Sequence, residues 1–291
     1  MPELPEVETI KRDLEKAILH KTFGRIEIPD PFVLRNPPKE FVKVLSKQSI
    51  TAILRRGKVL IICVMPERFN RASRIVAKSG SPTEAFGDDR NYLIIQLMMT
   101  GQLVVGQKPG KHTRVLFKFT DNSELLYNDQ RRFGQLRVVK DLADVKHLQM
   151  LGPEPFDPKF NGEYIFDYMR QSRRPIKTLL LDHTFVAGIG NIYACEILFR
   201  SGISPKRQGQ RISRLQAQEI HKNIVKVLNE AIAYRGSSMR NYRDAAGAEG
   251  TFKKRIQVYA REGQACLRCK KLVQRIIQAG RSTFFCPQCQ K

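Results

Sequence analysis

The chain has 291 residues, 42% of them hydrophobic, and carries 51 Lys plus Arg against 28 Asp plus Glu, a formal net charge of +23. That length allows two domains with buried cores, and no apolar run approaches the ~18 residues that a spanning helix needs. The charge calls for a polyanionic partner, because neutralised phosphates release counterions; at this level a basic protein with no such partner stays open.

The opening MPELPEVETI lacks the basic-then-apolar order of a secretory signal, so a reduced cytoplasmic setting is expected. PEVETIKRDLEKAIL reads as a helix, with Pro5 in its first turn and Val7, Ile10, Leu14 and Ile18 on one buried face. From Lys21 to Val139 the pattern changes to short aliphatic and β-branched runs: RIEI, SITAILRR, KVLIICVM, NYLIIQLMM, QLVVG, TRVLFKFT, SELLYN and QLRVV. Such closely spaced strands predict a sandwich or a barrel. Residues 66–90, polar and rich in Ser, Gly and Arg, interrupt them as a surface insertion.

LGPEPFDPKF (151–160) is Pro-rich and reads as a linker. Helical segments follow: GEYIFDYMRQS, a turn containing GIG, NIYACEILFRSG, and a long helix with Ser213 as N-cap and Gly236 as its stop. Residues 237–256 show no periodicity. The expected organisation is a strand-rich domain with an N-terminal helix over 1–150, the linker 151–160, a helical domain over 161–256, and a cysteine module over 257–291, an α+β class.

Cys63 and Cys195 sit alone in apolar stretches and read as small buried hydrophobes. Cys266, Cys269, Cys286 and Cys289 form C-x2-C-x16-C-x2-C, the spacing of a closed four-thiolate shell around one structural zinc. VQRII and STFFC between them alternate like the strands of a hairpin too small for its own core. Arg268, Lys270, Lys271, Arg275 and Arg281 make this hairpin basic, in keeping with a DNA-binding zinc ribbon.

On physics alone MPELPEVE is equally a helix entry with acidic residues favouring the N-terminus. Removal of Met1 changes its chemistry, because Pro2 then becomes a free secondary amine. An α-amino group titrates near ~7.7–8, well below a lysine at ~10.4, so it can attack a sugar C1′ and form an iminium. Glu3 and Glu6 lie within one turn, suited to acid–base work.

MPELPEVET, RRGKVL (55–60), Met-Thr-Gly (99–101), DQRRFG (129–134), LGPEP (151–155), GIGNIYACE (188–196) and GRSTFFCPQCQK (280–291), in that order, resemble the formamidopyrimidine-DNA glycosylase (8-oxoguanine DNA glycosylase) family over nearly the whole chain. The resemblance implies an N-terminal β-sandwich, a helix–two-turns–helix domain and a zinc hairpin, with double-stranded DNA in a basic cleft and a monomeric enzyme. It also implies catalytic roles. Pro2 is the nucleophile, Glu3 assists sugar-ring or leaving-group protonation, Glu6 supports the N-terminus, and Lys58 contacts phosphate beside the lesion.

Met99, Arg131 and Phe133 correspond to the side chains that fill the space left by the extruded base, although by themselves Met99 and Phe133 read as core residues. Asn191, Lys177 and Arg281 are implied as phosphate contacts, and the GIG glycines as points of close backbone approach to phosphate. Residues 237–256 correspond to the mobile segment that closes over 8-oxoguanine. The implied activity is bifunctional: excision of oxidised purines, then β,δ-elimination.

Three features depart from the family's pattern: the 66–90 insertion, Gln130 in place of a proline, and Thr100 where some relatives carry an acidic residue. Three other readings stay open: an endonuclease VIII-like enzyme for oxidised pyrimidines, disfavoured by Leu4 and the Met/Arg/Phe set; a non-catalytic damaged-DNA-binding protein; and a zinc-ribbon RNA binder.

Overall fold

The computed structural model describes residues 1–66, 90–239 and 242–291. The insertion expected at 66–90 therefore lies, apart from its end residues, outside the described residues, as do two positions of the 237–256 segment. The described chain divides into two units, one comprising Met1–Pro2, Glu6–Gln149 and Met239–Glu249, the other Glu3–Pro5, Met150–Ser238 and Gly250–Lys291.

In the first unit the eight predicted strands form two antiparallel four-stranded sheets. One has the order β1-β6-β7-β5, the other β2-β3-β4-β8. The strands are β1 (Phe23–Glu27), β2 (Gln48–Arg56), β3 (Val59–Pro66), β4 (Asn91–Gln96), β5 (Gly101–Val105), β6 (Thr113–Phe119), β7 (Glu124–Asp129) and β8 (Gln135–Val139). Alternation decides which side chains turn inward. Val115, Phe117 and Phe119 of β6, Leu125 and Tyr127 of β7, Leu60, Ile62 and Val64 of β3, and Leu93 and Ile95 of β4 join one core. Two sheets facing a shared core make this a sandwich, not a closed barrel.

Helix α1 (Leu4–Ile18) adds Val7, Ile10, Leu14 and Ile18 to that core, the face its spacing predicts. A second helix, α2 (Pro38–Leu45), falls inside the region read as strands. Pro38 opens it, where a missing N–H costs nothing, and Phe41 and Leu45, one turn apart, are both buried. Phe41 lies 6.3 Å from the Phe117 ring. A single turn, α3 (Lys146–Gln149), closes this stretch of chain.

Part of the 237–256 segment also belongs to this unit. The Val105 N–H donates to the Ala245 carbonyl at 2.9 Å. The Asp244 carboxylate accepts from the N–H groups of Ala246 and Ala248, at 3.1 and 2.8 Å, tying the segment's turn.

The second unit holds α4 (Gly162–Met169), α5 (Ile176–Leu180), α6 (Asn191–Arg200), α7 (Arg214–Ala233) and the hairpin β9 (Gln274–Gln278)–β10 (Arg281–Phe285). Ser213 caps α7 as predicted: its hydroxyl accepts from the Gln216 N–H, and the Gln216 side chain accepts from the Ser213 N–H. Among the described residues no helix is long and apolar enough to cross a membrane.

Helix α6 is buried from Ile192 through Phe199, including Glu196. The Glu196 carboxylate accepts from the N–H groups of Gln257, Val258 and Tyr259 at 2.9, 2.9 and 3.0 Å. Burial drives its pKa up, opposed by those three donors. It thereby fixes the chain where it enters the hairpin, and Val258 continues into a core with Cys195, Phe199, Cys266, Val273, Phe284 and Cys286. Cys63 and Cys195 are both buried as expected, and burial pushes their thiols up to about 11 and about 12, so neither supplies a thiolate near neutrality.

Candidate active site

Pro2 is buried at the start of the first unit. Its neighbour Glu3 is 5% exposed and seated at the N-terminus of α6, accepting from the N–H groups of Ile192 and Tyr193 at 3.1 and 3.4 Å. Those are first-turn donors that the helix itself leaves unpaired, and its dipole favours a carboxylate there. The Leu4 N–H donates to the Gly188 carbonyl at 3.1 Å.

The sequence Gly188-Ile189-Gly190 makes this seat. Gly188 has φ +88, and a side chain there would crowd Leu4 at 2.7 Å. A Cβ on Gly190 would collide with the Glu3 carboxylate. At both glycines the room that the absent side chains leave is taken up by the N-terminal segment, by Leu4 at Gly188 and by Glu3 at Gly190.

Glu6 is 2% exposed, and its carbonyl accepts from the Tyr242 hydroxyl at 3.5 Å. Lys58 stands in the two-residue turn between β2 and β3, half-buried. That turn is held from its own strand. Arg55 donates to the Gly57 carbonyl at 3.0 Å and to Glu8 of α1 at 2.9 Å. Burial alone would raise the Glu8 pKa, but Arg55 and Arg12 bring it below its usual value.

Met99, Arg131 and Phe133 come together on two adjacent loops. Arg131 donates to the Met99 sulfur at 3.2 Å, and its guanidinium lies 4.6 Å from the Phe133 ring centre. Met99 is 40% and Phe133 48% exposed. The reading of these two as core residues is therefore set aside, and they project as an apolar wedge flanked by a cation.

In the second unit Lys177 is wholly buried, its ammonium donating to the Thr283 hydroxyl at 2.7 Å and the Ser282 carbonyl at 3.3 Å. Burial holds its pKa below the ordinary lysine value. The Asn191 amide donates to the same Ser282 carbonyl at 2.9 Å, and its Oδ1 is buried without a hydrogen-bond partner. Both side chains thus grip the hairpin next to Arg281, which stands exposed at the first position of β10, beyond the Ala279-Gly280 turn.

The sulfurs of Cys266, Cys269, Cys286 and Cys289 lie within 4.8 Å of one another. Zn–S bonds of ~2.3 Å in a tetrahedron place sulfurs roughly 3.8 Å apart, and the Cys266–Cys289 and Cys269–Cys286 pairs stand at 3.9 and 3.5 Å. Although burial opposes ionisation of Cys266, N–H donors from Cys269 and Arg268 bring it down to about 7. Burial and the neighbouring sulfurs push Cys289 up to about 12. Four thiolates this close need a cation, and the residues fit one structural zinc. No other set of three or more His, Cys, Asp or Glu side chains is gathered this way among the described residues.

Sequence reasoning passed over Glu196, Asp129, Tyr127 and the Ser282–Thr283 pair. Each acts through a partner distant in sequence, and only the repeated glycine after each wedge loop hinted at a crowded spot.

A proline-led N-terminus, a sandwich, a helical module and a four-cysteine ribbon define the class of helix–two-turns–helix DNA glycosylases. Residues 1–136 match the formamidopyrimidine-DNA glycosylase N-terminal domain, 151–243 its H2TH domain, and 263–291 the zinc finger found in FPG and IleRS. The formamidopyrimidine-DNA glycosylase of Carboxydothermus hydrogenoformans is 39% identical, with both chains covered in full. Among solved structures, the Lactococcus lactis Fpg bound to abasic-site DNA matches with a TM-score of 0.85 at 33% identity, 99% of each chain being covered. A MutM complex with DNA containing carbocyclic 8-oxo-G matches with a TM-score of 0.84 at 32% identity over 100% of each. The chain belongs to the formamidopyrimidine-DNA glycosylase family.

Proposed function

We propose that this protein excises oxidised purines, 8-oxoguanine and formamidopyrimidines, from double-stranded DNA and then cleaves the strand, with Pro2 as nucleophile. The observation that carries this is the seating of Glu3. A carboxylate adjoining Pro2 in sequence is held by the α6 N-terminus in a cradle shaped by Gly190. Relatives solved with abasic-site and 8-oxo-G DNA support the same substrate class.

The chemistry follows from the residues. With Met1 removed, the unprotonated Pro2 nitrogen attacks C1′, and the C1′–N bond to the base breaks as the base takes up a proton. The Glu3 carboxylate takes the proton that the Pro2 nitrogen must lose and delivers it to the sugar oxygen, which opens the ring and leaves an iminium between Pro2 and C1′. Loss of the C2′ proton expels the 3′ phosphate, and a second elimination expels the 5′ phosphate. Water then hydrolyses the iminium, releasing the sugar remnant from Pro2 as an unsaturated aldehyde and leaving a one-nucleoside gap flanked by phosphates. Lys58, Asn191 and Arg281 grip the backbone, Lys177, implied as a phosphate contact by the resemblance, instead braces the hairpin from within, and Met99, Arg131 and Phe133 fill the vacated stack. Zinc, when bound, folds the hairpin that presents Arg281. We place the enzyme as a monomer in the cytoplasm, at the nucleoid.

The test is borohydride trapping on an 8-oxoguanine:cytosine duplex. The processed protein should form a covalent adduct at its N-terminal peptide, and both Pro2→Gly and a form retaining Met1 should lose most of it. A processed wild type that traps nothing defeats the proposal, and faster release of thymine glycol than of 8-oxoguanine assigns it instead to oxidised pyrimidines.

A further inference from the structure

The wedge rises from two loops, one between β4 and β5, the other between β7 and β8. Beneath both lies Asp129, the last residue of β7 and completely buried. One of its oxygens accepts from the Thr100 hydroxyl and from the Arg131 N–H at 3.2 Å. The other accepts from the Gly134 N–H at 2.8 Å and the Tyr127 hydroxyl at 3.4 Å. Thr100 closes the circuit, its oxygen accepting from the Arg131 N–H at 3.0 Å. A single carboxylate thus ties the base of the Met99 loop to both ends of the loop carrying Arg131 and Phe133.

Tyr127 locks the same two loops by volume. Each ends in a glycine, Gly101 and Gly134. A Cβ on Gly134 would collide with the Tyr127 hydroxyl, and one on Gly101 would approach it to 2.8 Å. Within the loops, Met98 and Arg132 adopt left-handed backbone at φ +51 and +58. Side chains other than glycine enter that region at a cost, so it persists only where the surroundings over-determine it. The buried charge is held by four donors, which is what makes it tolerable inside the protein.

We propose that Asp129, Tyr127 and Thr100 form a buried positioning hub that presets the wedge, so that base extrusion and reading of the orphaned partner base depend on three side chains buried beneath the wedge. This rests on the glycosylase reading above. It accounts for threonine at position 100: the hydroxyl is turned inward to Asp129, so the residue serves the loop's shape and not the lesion. Presetting matters because an unfixed wedge would have to be ordered on binding, which weakens the interaction it makes there.

The experiment compares two substrates. A duplex with 8-oxoguanine opposite cytosine needs extrusion and wedge insertion; a pre-formed abasic site in single-stranded DNA needs neither. Thr100→Val removes the hydroxyl at nearly constant volume, and Tyr127→Phe does so at constant ring shape. Each should lower excision from the duplex about tenfold, and reduce the preference for cytosine over adenine opposite the lesion. Cleavage of the single-stranded abasic site should stay within about twofold of wild type. Thr100→Ser, which keeps the hydroxyl, should restore duplex excision. Equal losses on both substrates, no loss on either, or a failed rescue by serine overturns the hub while leaving the wild type active. A wild type that traps no adduct on either substrate overturns the glycosylase reading and this inference with it.

Discussion

Replacing Glu196 by Ala should unfold the helix-to-ribbon connection before anything else. The carboxylate is buried and accepts from three consecutive N–H groups, at 2.9, 2.9 and 3.0 Å. Removing it strands one buried donor and two part-buried ones, at up to about 1–3 kcal/mol each. The desolvation that the charge no longer suffers offsets part of that, so a net loss of about 3–5 kcal/mol is expected, the range for breaking a buried charged interaction. At roughly 4 °C per kcal/mol, where the ranges for ~100- and ~150-residue units meet, the melting point of the second unit should fall by on the order of 10–20 °C. Glu196→Gln keeps one acceptor oxygen but turns an amide N–H₂ toward the third donor, so about half the loss is expected. The assay is thermal unfolding followed together with zinc release to a chromophoric chelator, since the ribbon core begins at Val258, one of the three gripped residues. Release of zinc ahead of the main transition in the Ala variant is the expected signature. A Glu196→Ala protein within about 1 kcal/mol of wild type, releasing zinc at the wild-type temperature, would refute the reasoning.

Gly190→Ala tests the Glu3 seat: Gly190 has φ −127 and ψ −166, which alanine adopts freely, so any defect comes from collision with the Glu3 carboxylate. We expect loss of the α6 cap at about 1–2 kcal/mol and at least a tenfold fall in borohydride adduct; an adduct yield within twofold of wild type counts against the seat. Glu230 is gripped by Arg200 at 2.5 Å and Arg255 at 2.9 Å. Burial would raise its pKa, but these two arginines bring it below the usual value of 4.5. Its stabilisation is therefore complete above about pH 4.5 and is lost as pH falls through the lower folded value. Melting temperatures measured from pH 7 down to 3 should decline less steeply for Glu230→Gln than for wild type.

The strands, α1 and the zinc ribbon were legible in the sequence because each writes its own period or spacing. The stripe of Val7, Ile10, Leu14 and Ile18 is buried as read, and the four cysteines meet. Helix α2 escaped because eight residues give only two buried apolar positions, Phe41 and Leu45, too few to stand out among strands. Helix α5, which carries Lys177, is only five residues long. The candidate site was legible through recognisable motifs, but its supports were not. Asp129 looks like any turn aspartate until Thr100 is folded against it, and Glu196 like a helix-surface acid until Gln257–Tyr259 wrap its end. Burial of a charge is a property of contacts between distant residues, which no local pattern records.

The division of the backbone between the two units has a consequence for inheritance. Glu3–Pro5 belongs with the helical unit although it opens the chain, and Met239–Glu249 belongs with the sandwich although it lies between α7 and the ribbon. No single cut separates the two. A gene fragment ending near residue 150 would encode a sandwich lacking the strand-β5 partner Ala245, and the remainder would lack the Leu4 and Glu3 that occupy Gly188 and Gly190. Recombination that exchanged one half for a foreign one would have to match both interleaved pieces at once. One crossover cannot divide such a chain into two self-sufficient modules, because Glu3 near its start is tied to a helix start 189 residues downstream.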